Sequence, residues 1–182
     1  IQSTSDQDDY RKYCTIAANS PSALCPEQSA IWSYPMTSGD KEEVVFNMVN
    51  AMLLRIHQSG HLGHIEAERK ALVKEALSVY RKIRSDIKNA VPFWSLGTSS
   101  FSDEWVSLGL RTENTAYLAV WRRESHEDTC VLPVAFLNGR DAEISCIYPS
   151  FNEERFAYSK ETSSVSVQLR KPYTARLFRL DF

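Results

Sequence analysis

Residues 87–97 read IKNAVPFWSLG, and the character of the chain changes across them. Before this stretch, apolar residues recur every three or four positions; after it they alternate every second one. These are the side-chain periods of a helix and of a strand. The segment therefore divides the chain into residues 1–90, mixed helix and strand, and residues 91–182, all strand.

Working back from it, EAERKALVKEALSVYRKIRSDIK (66–88) puts Leu72, Val73, Ala76, Leu77, Tyr80, Ile83 and Ile87 on one helical face, with Lys and Arg toward its end. Further upstream, DKEEVVFNMVNAMLLRI (40–56) opens with an Asp40-x-x-Glu43 capping pattern and continues with Val44, Val45, Met48, Val49, Met52 and Leu53. Around these helices lie short strand-like pieces: IQST at the start, CTIAA (14–18), SAIWSYP (29–35) and LRIHQSG (54–60). Strand followed by helix, repeated, reads as parallel α/β structure. A parallel sheet is buried on both faces, and so small a set leaves open edges and uncovered apolar surface. The expectation is that 1–90 forms the last part of a larger barrel.

Working forward, WVSLGLRT (105–112), TAYLAVWRR (115–123), TCVLPVAF (129–136), AEISCIYPS (142–150), SVSVQL (164–169) and TARLFRLDF (174–182) are short and alternating. Turn-rich joints such as Asn138-Gly139 separate them. That rhythm predicts an antiparallel sandwich, so residues 91–182 read as a separate all-β module.

Composition sets bounds on function. Of the 182 residues 43% are apolar and 24% charged, enough for a core and too balanced for a disordered chain. The net charge of −2 and the lack of a Lys/Arg block give nothing to suggest nucleic acid, and no apolar run suggests a membrane. Cys14, Cys25, Cys130 and Cys146 form no C-x-x-C, so a zinc ribbon is not expected. Cys130 and Cys146 sit in strand-like runs and read as buried thiols; Cys14 and Cys25 could pair in an oxidising compartment. Whether the protein is secreted or cytoplasmic, and whether it forms a homo-oligomer, stays open.

The order of short motifs is more specific than any one of them. STSDQDDY, PEQSAIWSYP, FNMVNAMLLRIHQSGHL, VYRKIRSDI, PFWSLG, DEWVSLGLRT and AYLAVWRR follow one another over essentially the whole chain. This succession resembles the C-terminal part of the family 36 glycoside hydrolases, the retaining α-galactosidases, and looks closest to fungal members. The resemblance implies α/β plus all-β: the last three β/α units of a (β/α)8 barrel, followed by an antiparallel β-sandwich. It implies a galactose-containing oligosaccharide as partner, with no cofactor and no metal.

It also assigns a role to one acid. The family's general acid/base is an Asp in a Ser-Asp motif at the end of the sixth barrel strand, and the matching residues here are Thr4-Ser5-Asp6-Gln7. Barrel chemistry sits at the C-terminal ends of strands, and Asp6 lies just beyond the IQST piece. Retaining glycosidases need two carboxyl groups about 5–5.5 Å apart, one attacking the anomeric carbon and one protonating the leaving oxygen. The family's nucleophile lies in a K-x-D motif, and no K-x-D occurs in this chain. On this reading the chain carries half of a catalytic pair. Asp8 and Asp9 read as loop or helix-start acids.

Three further groups carry candidate chemistry. Trp32, where the seventh barrel strand should end, could stack on a sugar face or be a buried rim residue. His57, His61 and His64 have metal-like spacing, but Ser59-Gly60 and Gly63 interrupt the continuous turn that such a site needs. Trp94, Trp105, Trp121, Tyr148, Phe178 and Phe182 could form a carbohydrate-binding face, although sandwich core is the ordinary use of such residues. The rival to an enzyme segment is a non-enzymatic remnant whose sandwich binds carbohydrate or a partner.

Overall fold

The computed structural model describes residues 1–182. Its first half alternates strand and helix: β1 (Gln2–Ser3), α1 (Tyr10–Asn19), β2 (Ser29–Ser33), α2 (Lys41–Met52), β3 (Arg55–Gln58) and α3 (Ala67–Ile87). The three strands pair in parallel in the order β1-β2-β3. As expected, Asp40 caps α2: its carboxylate accepts the Glu43 amide at 2.8 Å.

One element of this half differs from the sequence reading. CTIAA, expected as a strand, lies inside α1. Asp9 caps that helix by accepting the Arg11 amide at 3.0 Å. Tyr13, Cys14, Ala17 and Ala18 then form a buried stripe at helical spacing. The cap and the stripe together outweigh the strand preference of Thr15 and Ile16.

The second half is antiparallel. Strands β4 (Val91–Phe93), β5 (Trp105–Arg111), β6 (Thr115–Arg122), β11 (Thr174–Asp181) and β8 (Glu143–Tyr148) form one sheet in the order β4-β5-β6-β11-β8. Strands β7 (Thr129–Pro133), β10 (Ser164–Gln168) and β9 (Arg155–Ser159) form a second, in the order β7-β10-β9. The alternating pattern does not predict the edge strand β9, since RFAYS is short and carries only two large apolar residues.

The five-stranded sheet is covered on both faces. Tyr117, Ala119 and Trp121 of β6 join Ala175 and Leu177 of β11 in one buried cluster with the helices. The alternate residues Ala116, Leu118 and Val120, with Phe178 and Leu180, face the second sheet and pack on Leu132, Val165 and Val167. Packing therefore crosses the junction at residues 90 and 91. Polar bonds cross it too. The Tyr117 hydroxyl donates to Asp86 Oδ2 of α3 at 2.6 Å, and burial followed by that carboxylate pushes the phenol pKa up. Trp94 Nε1 donates to the Ala18 carbonyl at 2.7 Å, and Arg176 forks onto Glu42 of α2 at 2.7 and 2.9 Å.

All four cysteines are free, with Cys14 buried and Cys25 exposed. Burial pushes the Cys14 thiol up to about 12. No helix is long and apolar enough to cross a membrane.

Leu177 is fully buried where the sheet meets the helices. Leu177→Ala should cost about 2–5 kcal/mol, the range for a truncated core leucine. Because the core is shared, helical and aromatic circular-dichroism signals should melt together and shift by the same amount. A helical signal that melts at its original temperature would show that the two halves hold separate cores.

Candidate functional site

The C-terminal ends of the three parallel strands gather the residues of interest. After β1 the chain makes a compact turn built from side-chain-to-backbone bonds: the Gln7 amide to Ser5 Oγ at 3.1 Å, and the Asp9 amide to Gln7 Oε1 at 3.0 Å. Asp6 sits on this turn, exposed, and its carboxylate accepts no hydrogen bond from the protein and forms no ion pair. Asp8 is also exposed, whereas Asp9 is committed to the helix cap.

Trp32 lies in β2, whose side chains alternate between two environments. Ile31 is part of the helix-side core, and Ser33 Oγ reaches Met48 Sδ of α2 at 3.2 Å. Trp32 and Tyr34 therefore face away from the helices. Their rings lie nearly parallel, centroids 5.9 Å apart and tilted by 21°. Trp32 Nε1 donates to Ser3 Oγ of β1 at 3.0 Å, and His57 of β3 meets the indole edge-on at 5.0 Å. A row across the sheet thus carries Ser3, Trp32 and His57, and partly exposed Tyr34 extends it. Burial pushes the Tyr34 hydroxyl pKa up, and the neighbouring Tyr13 hydroxyl and Asp6 carboxylate push it further.

Tyr13 connects the two sequence-predicted residues, and sequence reasoning missed it. Its hydroxyl accepts the Trp32 amide at 3.1 Å and donates to the Ser5 carbonyl at 3.3 Å, one residue before Asp6. Thr4 Oγ1 lies 3.2 Å from the same oxygen. The reason is geometric. The β1–β2 ladder ends at Ser3 and Ala30, so the Trp32 amide has no β1 partner, and the phenol of α1 takes its place. The only sequence signal was a Tyr beginning the stripe Tyr13, Cys14, Ala17, Ala18.

The histidines do not converge. His57 belongs to the aromatic row, while His61 and His64 stack on each other at 5.7 Å in an exposed loop. No group of three or more His, Cys, Asp or Glu side chains is placed to hold a metal. Of the second-half aromatics, Trp121, Tyr148 and Phe178 are fully buried. Trp94, Trp105 and Phe182 pack against the two cores, so these six residues form no common outer face. An open groove of about 790 Å³ lies between residues 8–11, 36–43 and 171–174, with the Arg11 guanidinium 4.0 Å over the Tyr173 ring.

A three-stranded parallel β/α layer joined to an antiparallel sandwich, with its polar and aromatic residues at the strand ends, is the framework these observations define. No protein-family model matches the sequence, and no curated protein matches it. Solved structures do. A doubly substituted family 36 α-galactosidase AgaA from Geobacillus stearothermophilus, in complex with raffinose, matches 97% of this chain with a TM-score of 0.75 at 14% identity. The galactosidase domain of the α-galactosidase–sucrose kinase AgaSK matches 97% with a TM-score of 0.72 at 18% identity. An α-galactosidase from Lactobacillus brevis matches 97% with a TM-score of 0.72 at 10% identity. The chain spans 25% of the length of each. At these identities the likeness is one of fold.

Tyr13→Phe keeps the ring and removes only the hydroxyl. It leaves the Trp32 amide and the Ser5 carbonyl short of a partner, at a cost of about 1–3 kcal/mol. Urea denaturation should show that loss, and amide exchange should show faster exchange at Trp32. An unchanged Trp32 exchange rate would mean that the hydroxyl does not hold the strand end.

Proposed function

We propose that this chain is the C-terminal portion of a retaining α-galactosidase, with 1–90 supplying the last three β/α units of its barrel and 91–182 its sandwich domain. Two facts agree in supporting the reading. The motif order resembles family 36, and family 36 α-galactosidases match 97% of the chain in fold. The sequence alone supplies the fungal character of the resemblance. The substrate is a terminal α-1,6-galactoside of the raffinose or melibiose kind, and no cofactor takes part.

Asp6 acts as the general acid/base. It protonates the glycosidic oxygen as the bond to the anomeric carbon breaks, and then takes a proton from the water that attacks the glycosyl-enzyme. Its place supports the role: it stands three residues past the end of β1, on the side of the sheet where barrel chemistry is done. It carries no structural hydrogen bond that the chemistry would have to break. Trp32 offers an aromatic face to the sugar. The nucleophile belongs to a K-x-D segment outside these 182 residues.

The 182-residue chain alone should not hydrolyse an aryl α-galactoside faster than an Asp6→Asn control, because only one carboxylate of the pair is present. Turnover above that control would mean that another carboxylate of this chain completes it.

In an enzyme that includes the nucleophile segment, Asp6→Ala should slow raffinose hydrolysis by on the order of 10²–10⁴, the usual range for general acid catalysis. The first step on aryl galactosides with activated leaving groups should fall much less, and added azide should restore turnover. Equal losses on good and poor leaving groups, without azide rescue, would remove Asp6 from the acid/base role.

A further inference from the structure

The loop from Tyr34 to Asp40, which follows β2, is held from beneath by a buried ionic cluster. Arg69 of α3 and Glu43 of α2 form an ion pair at 2.7 Å, with side chains 5% and 4% exposed. The guanidinium also donates to three carbonyls of the loop: Thr37 at 3.1 Å, Asp40 at 3.2 Å, and Met36. Glu43 Oε1 accepts the Met36 amide at 3.0 Å and Asn47 Nδ2 at 2.6 Å. Asn47 Oδ1 in turn accepts the Tyr34 amide at 3.2 Å. Every polar atom of the cluster that points into the loop therefore grips its backbone, and the last link ends on Tyr34.

Gly39 completes the fit. A Cβ there would overlap Glu43 Oε2, so any side chain would push the carboxylate off the guanidinium. Burial drives the Glu43 carboxyl pKa up, while the Met36 amide and Arg69 pull it down. Such a charge is retained in a low-dielectric site only when its partners are in place.

Tyr34 is worth holding because of what it faces. Its ring lies beside Trp32, and its hydroxyl is close enough to Asp6 to feel that charge. An aromatic ring with a polar tip suits a sugar, which presents C–H groups on one face and hydroxyls around its rim. We propose that Tyr34 is a second sugar-contacting residue beside Trp32, and that the Arg69–Glu43–Asn47 cluster is the positioning device that sets it. This rests on the galactoside-binding reading above. The cluster touches no sugar; it acts through the loop.

The test uses the isotopically labelled 182-residue chain, with raffinose as probe and sucrose, which lacks the galactosyl ring, as control. Raffinose should shift the Trp32 indole and Tyr34 amide resonances, and sucrose should not. Tyr34→Leu should weaken raffinose binding about 3- to 10-fold, the loss expected for one aromatic contact. Removing Arg69 alone would strand a buried carboxylate, so the informative variant is the double change Glu43→Leu with Arg69→Met, which leaves no unpaired charge. It should keep its melting temperature within a few degrees of the parent, while amide exchange at residues 34–40 speeds up about 10-fold or more and raffinose binding falls as in Tyr34→Leu. Unchanged exchange and binding in the double variant would overturn the positioning role. Parental binding by Tyr34→Leu would overturn the contact. If the parent chain shows no raffinose-specific shift at Trp32, the galactoside reading of this face fails and the Tyr34 contact with it, while the exchange rates still decide what Arg69 holds.

Discussion

Helix α2 has no solvent face beyond its first turn. Ten consecutive residues, Glu43 to Met52, are buried. An α-helix buried all round must be enclosed by other elements. Here the enclosure comes from β2 and β3 of the parallel sheet, from α1 and α3, and from β11 of the antiparallel sheet. The rest of the structure depends on that arrangement. Without the five-stranded sheet, α2 would expose its far side; without α2, β11 and β6 would expose theirs. The junction near residue 90 therefore separates two kinds of secondary structure that share one apolar interior.

The two acids at the start of α2 show how polar groups are fitted into that interior. Glu42 turns toward the antiparallel sheet and takes the Arg176 fork, while Glu43 turns toward α3 and takes Arg69. Both stand in the first helical turn, where the unpaired amides favour negative charge. One pair ties the helix to the sandwich, and the other ties it to the loop after β2. Adjacent residues thus fix the helix against its neighbours and fix the loop that bears Tyr34.

The face of the parallel sheet turned away from the helices carries the candidate site residues. Ser3, Trp32 and His57 touch across three strands, Tyr34 extends the row, and Asp6 stands on the adjoining turn. Tyr13 reaches this end of the sheet from α1 and joins the two loops through one hydroxyl. Helix-side burial anchors each strand, and that anchoring is what presents the opposite side chains in a set geometry. The candidate site is thus positioned by the same core that holds the fold together.

Much of this was legible in the sequence. The change of period near residue 90, the Asp40 cap and the apolar stripe of α3 all depend on residues within a few positions of one another, where local propensity and pattern act directly. The order of motifs singled out Asp6 and Trp32. CTIAA misread as a strand because β-branched residues favour one, and only the Asp9 cap and the burial of Tyr13 and Ala17 against other elements decide for helix. Tyr13, Tyr34 and Arg69 were not legible at all. Tyr13 meets Trp32 across 19 residues, Tyr34 meets Asn47 across 13, and Arg69 meets Glu43 across 26. Periodicity shows which face of an element is apolar; it does not show which distant polar group will complete a backbone bond left open where a strand ladder ends. That pairing is set by how the elements pack, so it belongs to the tertiary structure alone.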